Sequence, residues 1–332
     1  MPPGEPLTLG LIGFGYWGPN LARNFDDVPG ARLAWLCDLD EARLERYAAR
    51  FPDARTTTSY DELLADPDLA AVAIATPVVT HYELAREALR AGKHVFVEKP
   101  LALSAVLGEQ LVALAEERGL VLMPGHLLLY HPAVAKLKEL VDSGELGRLL
   151  YVYGNRQNLG QIRRDENALW SLGAHDLSVI LHLVGEEPSE AWARGESFLN
   201  PGVEDVVFCY LRFPSGVVAH MHLSWLDPHK MRRMTVVGDR KMAVFDDMEL
   251  ERKVTVYDKG PEQRADTYGE WLTRTGDISI PKILNDEPLR LECEHFLRLV
   301  AGGGDGLAAA RAGLAVVRAL EQLQSALERE KV

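Results

Sequence analysis

The amino-acid sequence predicts an α/β protein built from two domains of different architecture. In residues 1–124, short apolar runs alternate with helical patterns, which is typical of βαβ units and a doubly wound parallel sheet. In residues 125–332, the stretch from about Ala191 to Tyr257 is a series of strand-like runs without helices between them, which indicates a mostly antiparallel sheet. A chain of 332 residues is long enough for two domains of roughly 100–200 residues each.

The apolar runs of the first part are continuous rather than alternating, as expected for parallel strands that are covered on both faces. We expect strands at Leu7–Ile12, Leu33–Cys37, Ala71–Ala75, His94–Val97 and Leu120–Met123. We expect the helices between them to begin near Trp17, Glu41, Thr80 and Ser104. Gly92 and Gly119 follow two of these helices, and a glycine in that position is a common stop signal.

The second part contains both helices and strands. Helices are predicted at Ala133–Val141, Gly173–Val184, Glu292–Val300 and Leu307–Leu327. Strands are predicted at Leu149–Asn155, Val206–Phe213, Val217–Trp225, Met234–Val237, Met242–Phe245 and Val254–Tyr257. Turn sequences such as Phe-Pro-Ser-Gly and Gly-Asp-Arg-Lys separate the consecutive strands.

Composition and charge exclude several classes of protein. The chain is 47% hydrophobic and carries a formal net charge of −13, so it is neither disordered nor a basic binder of nucleic acid or membrane surfaces. Its three cysteines are widely spaced and form no disulfide framework and no CxxC metal motif. The N-terminus lacks a leader pattern, and no apolar run reaches the roughly 18–20 residues of a membrane span, so we expect a cytoplasmic protein.

A glycine-rich motif, Gly-Phe-Gly-Tyr-Trp-Gly, follows the first predicted strand and opens the first helix. In a dinucleotide-binding turn the first glycine permits the tight bend, the second lets the backbone approach a pyrophosphate, and the third allows close packing of helix and strand. Taken alone, the motif is equally compatible with an ordinary glycine-rich turn. The residues expected to contact a cofactor here are Gly13, Phe14, Gly15, Tyr16, Trp17 and Gly18.

Asp38 decides between these interpretations. It ends the second predicted strand, twenty residues beyond Gly18, where a carboxylate accepts hydrogen bonds from both hydroxyls of an adenosine ribose. A carboxylate there repels a 2′-phosphate, and the nearest cation, Arg43, is expected on the following helix. The sequence therefore predicts a Rossmann domain that prefers NAD(H) to NADP(H).

Further candidate residues follow the next strands, at the sheet edge where open α/β folds bind ligands. Lys99, in Glu98-Lys99-Pro100, would lie near the positively charged nicotinamide, which together with desolvation disfavours the charged form of a lysine and suits an acid–base group. A solvent-facing lysine in a loop is the alternative. Thr76, Pro77 and His81 could contact the nicotinamide ribose or simply begin the next helix.

His175 is the candidate in the second part, near the first turn of a predicted helix. The positive end of the helix dipole favours a neutral imidazole there, which is useful for a base, although a histidine at a helix start is also commonly structural. His126 and His131 lack the spacing of a metal site, so we expect no metal. No GxSxG motif and no Cys-His pairing supports covalent catalysis.

At this point the sequence resembles the glucose–fructose oxidoreductase/inositol dehydrogenase/MocA (Gfo/Idh/MocA) family over nearly its whole length. The shared features are the glycine motif, Asp38, Ala-Thr-Pro at 75–77, Glu-Lys-Pro at 98–100, Gly-His at 125–126 and Gly-Ala-His-Asp at 173–176. Within the family it is most similar to the UDP-N-acetylglucosamine(-uronate) 3-dehydrogenase branch, in the stretches 15–25, 165–171, 276–281 and 287–296.

The resemblance implies a Rossmann domain (1–124) and an α/β domain with a large open sheet (125–332) that binds substrate and mediates dimer or tetramer contacts. It also implies that Lys99 and His175 are catalytic. Many relatives have an aspartate four residues before the histidine, where this chain has Ser171, and Asp176 or Asp165 could take over its part.

The expected reaction is NAD-dependent oxidation of a secondary hydroxyl of a nucleotide sugar. The open alternatives are a polyol or inositol dehydrogenase, a ketoreductase acting on a deoxysugar, and a non-catalytic NAD-binding regulator. Hydrogen-bond donors that suit a phosphate or carboxylate are concentrated between the first strand of the second domain and the His175 helix, a stretch that could also be a solvated loop. The expected substrate contacts are Lys99, Asn158, Arg163, Arg164, Asn167, His175 and Asp176.

Overall fold

The structure is a computed structural model that describes residues 6–160, 162–164, 166–263 and 270–329. Its strands are β1 (Leu7–Ile12), β2 (Ala31–Cys37), β3 (Arg55–Thr57), β4 (Ala71–Ile74), β5 (His94–Glu98), β6 (Leu122–Gly125), β7 (Leu149–Gln157), β8 (Glu190–Glu196), β9 (Val206–Arg212), β10 (Val218–Ser224), β11 (Met231–Gly238), β12 (Met242–Asp246), β13 (Val254–Gln263) and β14 (Trp271–Ser279). Its helices are α1 (Gly18–Asp27), α2 (Glu41–Ala48), α3 (Tyr60–Leu64), α4 (His81–Arg90), α5 (Ala105–Arg118), α6 (Pro132–Asp142), α7 (Ala174–Val184), α8 (Pro288–Val300) and α9 (Ala308–Arg329).

The chain divides into two compact units that are not continuous in sequence. The first contains residues 1–130 and 286–318, and the second contains residues 131–285 and 319–332. The expected division, 1–124 and 125–332, differs from this chiefly because α8 and the start of α9 return to the first unit. The reason is hydrophobic: the buried face of α8, with Cys293 and Phe296, packs into the same core as Phe25 and Phe96.

The first unit contains a six-stranded parallel sheet in the order β3-β2-β1-β4-β5-β6, which confirms the predicted doubly wound arrangement. The order reverses between β1 and β4, the position at which such sheets leave a crevice beyond the carboxyl ends of the strands. Side chains of Asp40, Ser59 and Ser104 cap α2, α3 and α5.

The second unit contains an eight-stranded sheet in the order β14-β13-β12-β11-β7-β10-β9-β8. All of its neighbouring strands are antiparallel except β7 and β10, which confirms the mostly antiparallel architecture. No helix in the described part of the chain is long and apolar enough to cross a membrane.

Four elements lie outside the sequence-based prediction: β3, α3, β8 and β14. The three strands are at sheet edges, and their residues are largely exposed and polar. An edge strand with little buried surface produces no apolar run, which explains why the pattern did not reveal them. The predicted strand at Leu120–Met123 is shifted to Leu122–Gly125.

Candidate active site

The glycine turn of the first unit is held by backbone contacts at the switch point of the sheet. Gly13 has a φ of 93° and donates its backbone N–H to the carbonyl of Cys37 at 2.8 Å. A Cβ at Gly13 would lie 2.8 Å from the backbone of Ala75, and one at Gly18 would lie 1.9 Å from the Gly13 carbonyl oxygen. Only glycine fits both positions, because the turn brings β1, the start of α1 and the end of β4 into direct contact.

Gly15 differs from these two glycines because a Cβ there would meet no atom within 4 Å. The space lies over the turn, just before the N-terminus of α1, where free N–H groups and the helix dipole attract a phosphate. The ring of Tyr16 is 85% exposed beside it, and Trp17 immediately precedes the helix. The open space therefore suits a pyrophosphate lying against the backbone.

Asp38 is buried at the end of β2 and is oriented by two backbone donors. Its Oδ2 accepts from the N–H of Phe14 at 2.6 Å, and its Oδ1 accepts from the N–H of Asp40 at 2.9 Å. Arg43 lies on α2 with Nη1 3.8 Å from Asp38 Oδ2 and Nε 3.2 Å from Asp40 Oδ2. The carboxylate is thus fixed at the edge of the crevice, while the Phe14 ring packs against Tyr47 in the core.

A cavity of about 590 Å³ connects these groups. Its lining includes Gly13, Gly15, Asp38, Thr76 and Pro77, all named from the sequence, and it has an apolar character from residues such as Leu39 and Leu84. Its further lining residues include Thr58 and Tyr60, which sequence reasoning missed because β3 and α3 went unrecognised. The size, the glycine backbone and the fixed carboxylate of Asp38 are those of a site for the adenosine half of NAD.

His81 lies beside this cavity and contacts the backbone of two neighbouring segments. Its Nδ1 lies 2.9 Å from the carbonyl oxygen of Pro100, and its Nε2 lies 2.9 Å from that of Thr76. Burial lowers the pKa of the ring. His81 therefore ties the turn after β4 to the segment after β5, and its two ring nitrogens are engaged with the backbone rather than directed at a ligand.

Lys99 follows the last residue of β5 and precedes a cis peptide bond to Pro100. The neighbouring Glu98 accepts a hydrogen bond from the Lys99 N–H at 3.3 Å, and burial raises the pKa of its carboxyl to about 7. Glu292 of α8 is 1% exposed, and burial together with Glu98 raises its pKa well above the usual range. Burial, and then Lys99, lower the pKa of His126 to about 4. Lys99 thus lies among titratable groups whose pKa values are shifted by burial, of which His126 and Glu292 are fully buried.

Sequence reasoning did not identify Glu292 as part of this cluster. In the sequence, Glu292 is marked only by its place in the stretch 287–296, which resembles the family. Its interaction with Glu98 joins residues almost two hundred positions apart, so no local pattern reveals it. Within the described residues, no group of three or more His, Cys, Asp or Glu side chains is arranged to hold a metal ion.

In the second unit, His175 is the second residue of α7, which continues directly from a π-helical turn at Leu169–Gly173. Asn167 caps this turn, because its Oδ1 accepts from the N–H of Trp170 at 3.1 Å. Its Nδ2 donates to Glu204 at 2.7 Å and to Gln324 at 3.0 Å. The side chain of Asn167 therefore supports the turn that leads to His175.

The other expected substrate contacts range from buried to fully accessible to solvent. Asp176 is buried and paired with Arg156 of β7, a residue that sequence reasoning did not single out. Arg163 and Arg164 are exposed, with Arg163 paired to Glu166 at 2.7 Å. Asn158 is half-buried just after β7, and Asp165 lies outside the described residues.

Comparison with known proteins identifies the family. Residues 7–126 match the oxidoreductase family with an NAD-binding Rossmann fold (GFO_IDH_MocA), and residues 134–244 match the GFO/IDH/MocA C-terminal domain. The scyllo-inositol 2-dehydrogenase (NAD(+)) of Bacillus subtilis is 30% identical over 90% of this chain and 85% of its own. The chain belongs to the Gfo/Idh/MocA family. It is an NAD-dependent dehydrogenase that acts on hydroxyl groups.

Two further proteins are similar to this chain over nearly their full length. The UDP-N-acetylglucosamine 3-dehydrogenase of Acidithiobacillus ferrooxidans is 29% identical over 97% of both chains, and its structure covers 97% of this chain with a TM-score of 0.81. GenD2 from gentamicin A biosynthesis, solved in complex with NAD, is 26% identical, and the match covers 98% of this chain and 95% of that one, with a TM-score of 0.81.

Proposed function

We propose that this dehydrogenase transfers hydride between NAD and the C3 hydroxyl of a nucleotide-linked amino sugar. The observation that carries the proposal is the match to UDP-N-acetylglucosamine 3-dehydrogenase, which extends over 97% of both sequences. The match includes the second unit. The cavity beyond β1, β2 and β4 would hold the adenosine half of NAD, with Asp38 on its ribose.

In the proposed mechanism, Lys99 and His175 act on the same hydroxyl group. NAD supplies the acceptor for the hydride when it is bound. His175 takes the hydroxyl proton as general base, and Lys99 donates a hydrogen bond that orients the hydroxyl and stabilises its alkoxide character. The opposite assignment, with Lys99 as base, is the alternative that arises because Ser171 replaces a carboxylate.

The exposed arginines of the segment after β7 are proposed to bind the diphosphate of the substrate. Arg163 and Arg164 are the cations there, and a guanidinium binds phosphate oxygens with two parallel hydrogen bonds. Arg163→Ala and Arg164→Ala should raise the KM for a nucleotide sugar and leave the Kd for NAD unchanged. An unchanged KM in both variants would place the diphosphate elsewhere.

A second candidate is a dehydrogenase of inositol or another free polyol, favoured by the 30% identity to scyllo-inositol 2-dehydrogenase. A panel decides between the two candidates: UDP-N-acetylglucosamine, its uronate, myo-inositol and scyllo-inositol, each with NAD⁺, followed by the absorbance of NADH. Our proposal expects the highest kcat/KM with a UDP sugar. Faster turnover of an inositol than of either UDP sugar would establish the second candidate.

We also expect a cytoplasmic enzyme that forms a homodimer or homotetramer. In the second unit, Tyr151, Trp192 and Phe208 are large exposed side chains of the eight-stranded sheet, and exposed aromatic groups are typical of subunit interfaces. Light scattering after gel filtration measures the oligomeric state directly, and a monomer at micromolar concentration would contradict this expectation.

A further inference from the structure

The start of α7 has an irregular geometry that needs an explanation. The turn before it, Leu169–Gly173, is π-helical, with backbone hydrogen bonds spanning five residues rather than four. A π-helical turn holds one residue more than an α-helical turn. The backbone hydrogen bonds of the turn therefore do not fix at which residue the regular α-helix begins. His175 comes two positions later.

The residue after His175 is held by an ion pair from the sheet. Asp176 Oδ1 accepts from Arg156 Nε at 2.8 Å and from Arg156 Nη2 at 2.7 Å. Asp176 is 4% exposed and Arg156 is 7% exposed, so both charges are removed from water. A buried pair of this kind contributes little net stability over apolar side chains of similar size, which invites a functional reason for it.

The packing on the other side of Asp176 is equally restrictive. A Cβ at Gly154 would lie 2.9 Å from Asp176 Oδ2, so a larger residue there would press against the carboxylate. Gly154 and Arg156 are two residues apart and therefore lie on the same face of β7. The close approach of β7 at Gly154 and the two hydrogen bonds from Arg156 together restrict the Asp176 carboxylate to one position.

We propose that the Arg156–Asp176 pair fixes the helical register of α7 and so positions His175 for the substrate hydroxyl. This inference rests on the proposed function, in which His175 is the base. A slip of one residue would rotate each side chain by about 100° and move its Cα by about 3.8 Å. Misplacement of a reacting group by only about 1 Å can cost about 100-fold in rate. In this inference Arg156 and Asp176 are positioning residues, and the pairing with Arg156 replaces the substrate contact that the sequence analysis expected for Asp176.

The competing explanation is that the pair only stabilises the fold. Removing one partner leaves a buried charge and destabilises the protein under either explanation, so single substitutions to apolar residues do not separate them. The double variant Arg156→Met/Asp176→Leu removes both charges and fills the space with apolar groups, and we expect it to fold. The variant Arg156→Lys keeps the charge but loses the two-pronged geometry.

The experiment measures kcat and KM with UDP-N-acetylglucosamine, the Kd for NAD⁺ and the thermal midpoint. We expect the double variant to retain NAD⁺ affinity and a midpoint within a few degrees of the wild type, with kcat reduced at least about 100-fold. For Arg156→Lys we expect a loss of about tenfold in kcat at an unchanged midpoint, because lysine does not reproduce the two N–H groups that Arg156 directs at Asp176 Oδ1. Arg274→Met, which removes the half-exposed pair with Asp258 between β13 and β14, is the matched control and should leave kcat unchanged.

The outcomes are distinct. If either Arg156→Lys or the folded double variant turns over substrate within threefold of the wild type, the pair has no positioning role and our inference is wrong. If the double variant fails to fold, the result for Arg156→Lys alone decides in the same way. His175→Ala is measured alongside: unchanged turnover in that variant would instead overturn the proposed role of His175. Histidine ¹³C–¹H spectra without substrate provide a readout independent of activity, in which the His175 signal should shift in Arg156→Lys and stay in place in Arg274→Met.

Discussion

Glu98 allows the energetic cost of the buried cluster around Lys99 to be measured. Burial raises the pKa of its carboxyl from an ordinary 4.5 to about 7, with Lys99 partly opposing the effect. Between these values the folded chain binds more protons than the unfolded chain, so the folded state loses stability as the pH rises through this window. Glu98→Gln removes the ionisation and keeps an oxygen that can accept from the Lys99 N–H.

The size of the effect follows from linkage. One pKa unit corresponds to about 1.4 kcal/mol, so a carboxyl with pKa values of 4.5 unfolded and about 7 folded costs about 1 kcal/mol at pH 5 and about 3 kcal/mol at pH 8. Glu98→Gln should therefore stabilise the protein by about 2 kcal/mol more at pH 8 than at pH 5.

The assay is urea unfolding without NAD at several pH values from 5 to 8, followed by circular dichroism. Glu117→Gln, an exposed glutamate on α5, is the matched control and should show no such pH dependence. If the stability difference between Glu98→Gln and the wild type is the same at pH 5 and pH 8, Glu98 ionises normally and the account of the cluster is wrong.

Three further predictions concern the cofactor and the chemistry. Asp38→Ser should lower the preference for NAD⁺ over NADP⁺, measured as the ratio of the two kcat/KM values, by at least about tenfold. The substitution removes the carboxylate that repels a 2′-phosphate and frees Arg43 to bind that phosphate. An unchanged ratio would contradict this prediction. Gly15→Val should leave the thermal midpoint nearly unchanged, since the space over the turn is open. NAD⁺ binding measured by calorimetry should weaken at least about tenfold, because the valine side chain occupies the pyrophosphate position. Wild-type affinity for NAD⁺ would refute that placement of the pyrophosphate. Lys99→Ala and His175→Ala should each lose about 10²–10⁴-fold in kcat on the true substrate and retain NAD⁺ affinity, and near-normal turnover would remove that residue from the mechanism.

Local patterns in the sequence were sufficient for the parallel sheet and the cofactor turn. A continuous apolar strand, the glycines of Gly13–Gly18 and Asp38 at the next strand end are each specified within a few residues, because backbone geometry at a tight turn depends on neighbours in the chain. The starts of α1, α2, α4 and α5 lie within one residue of the prediction for the same reason, since capping and turn chemistry are local.

Only the tertiary structure decided what depends on distant parts of the chain. The return of α8 to the first unit arises because Phe296 completes a core that begins with Phe25 and Phe96, and burial of apolar surface has no preferred sequence separation. The raised pKa of Glu292 arises from that same packing. Arg156 and Asp176 are ordinary charged residues twenty positions apart in the sequence, and only the approach of α7 to β7 at Gly154 makes them a buried pair. The sequence thus determined which residues form each turn and strand, whereas long-range packing determined which of their charges are removed from water.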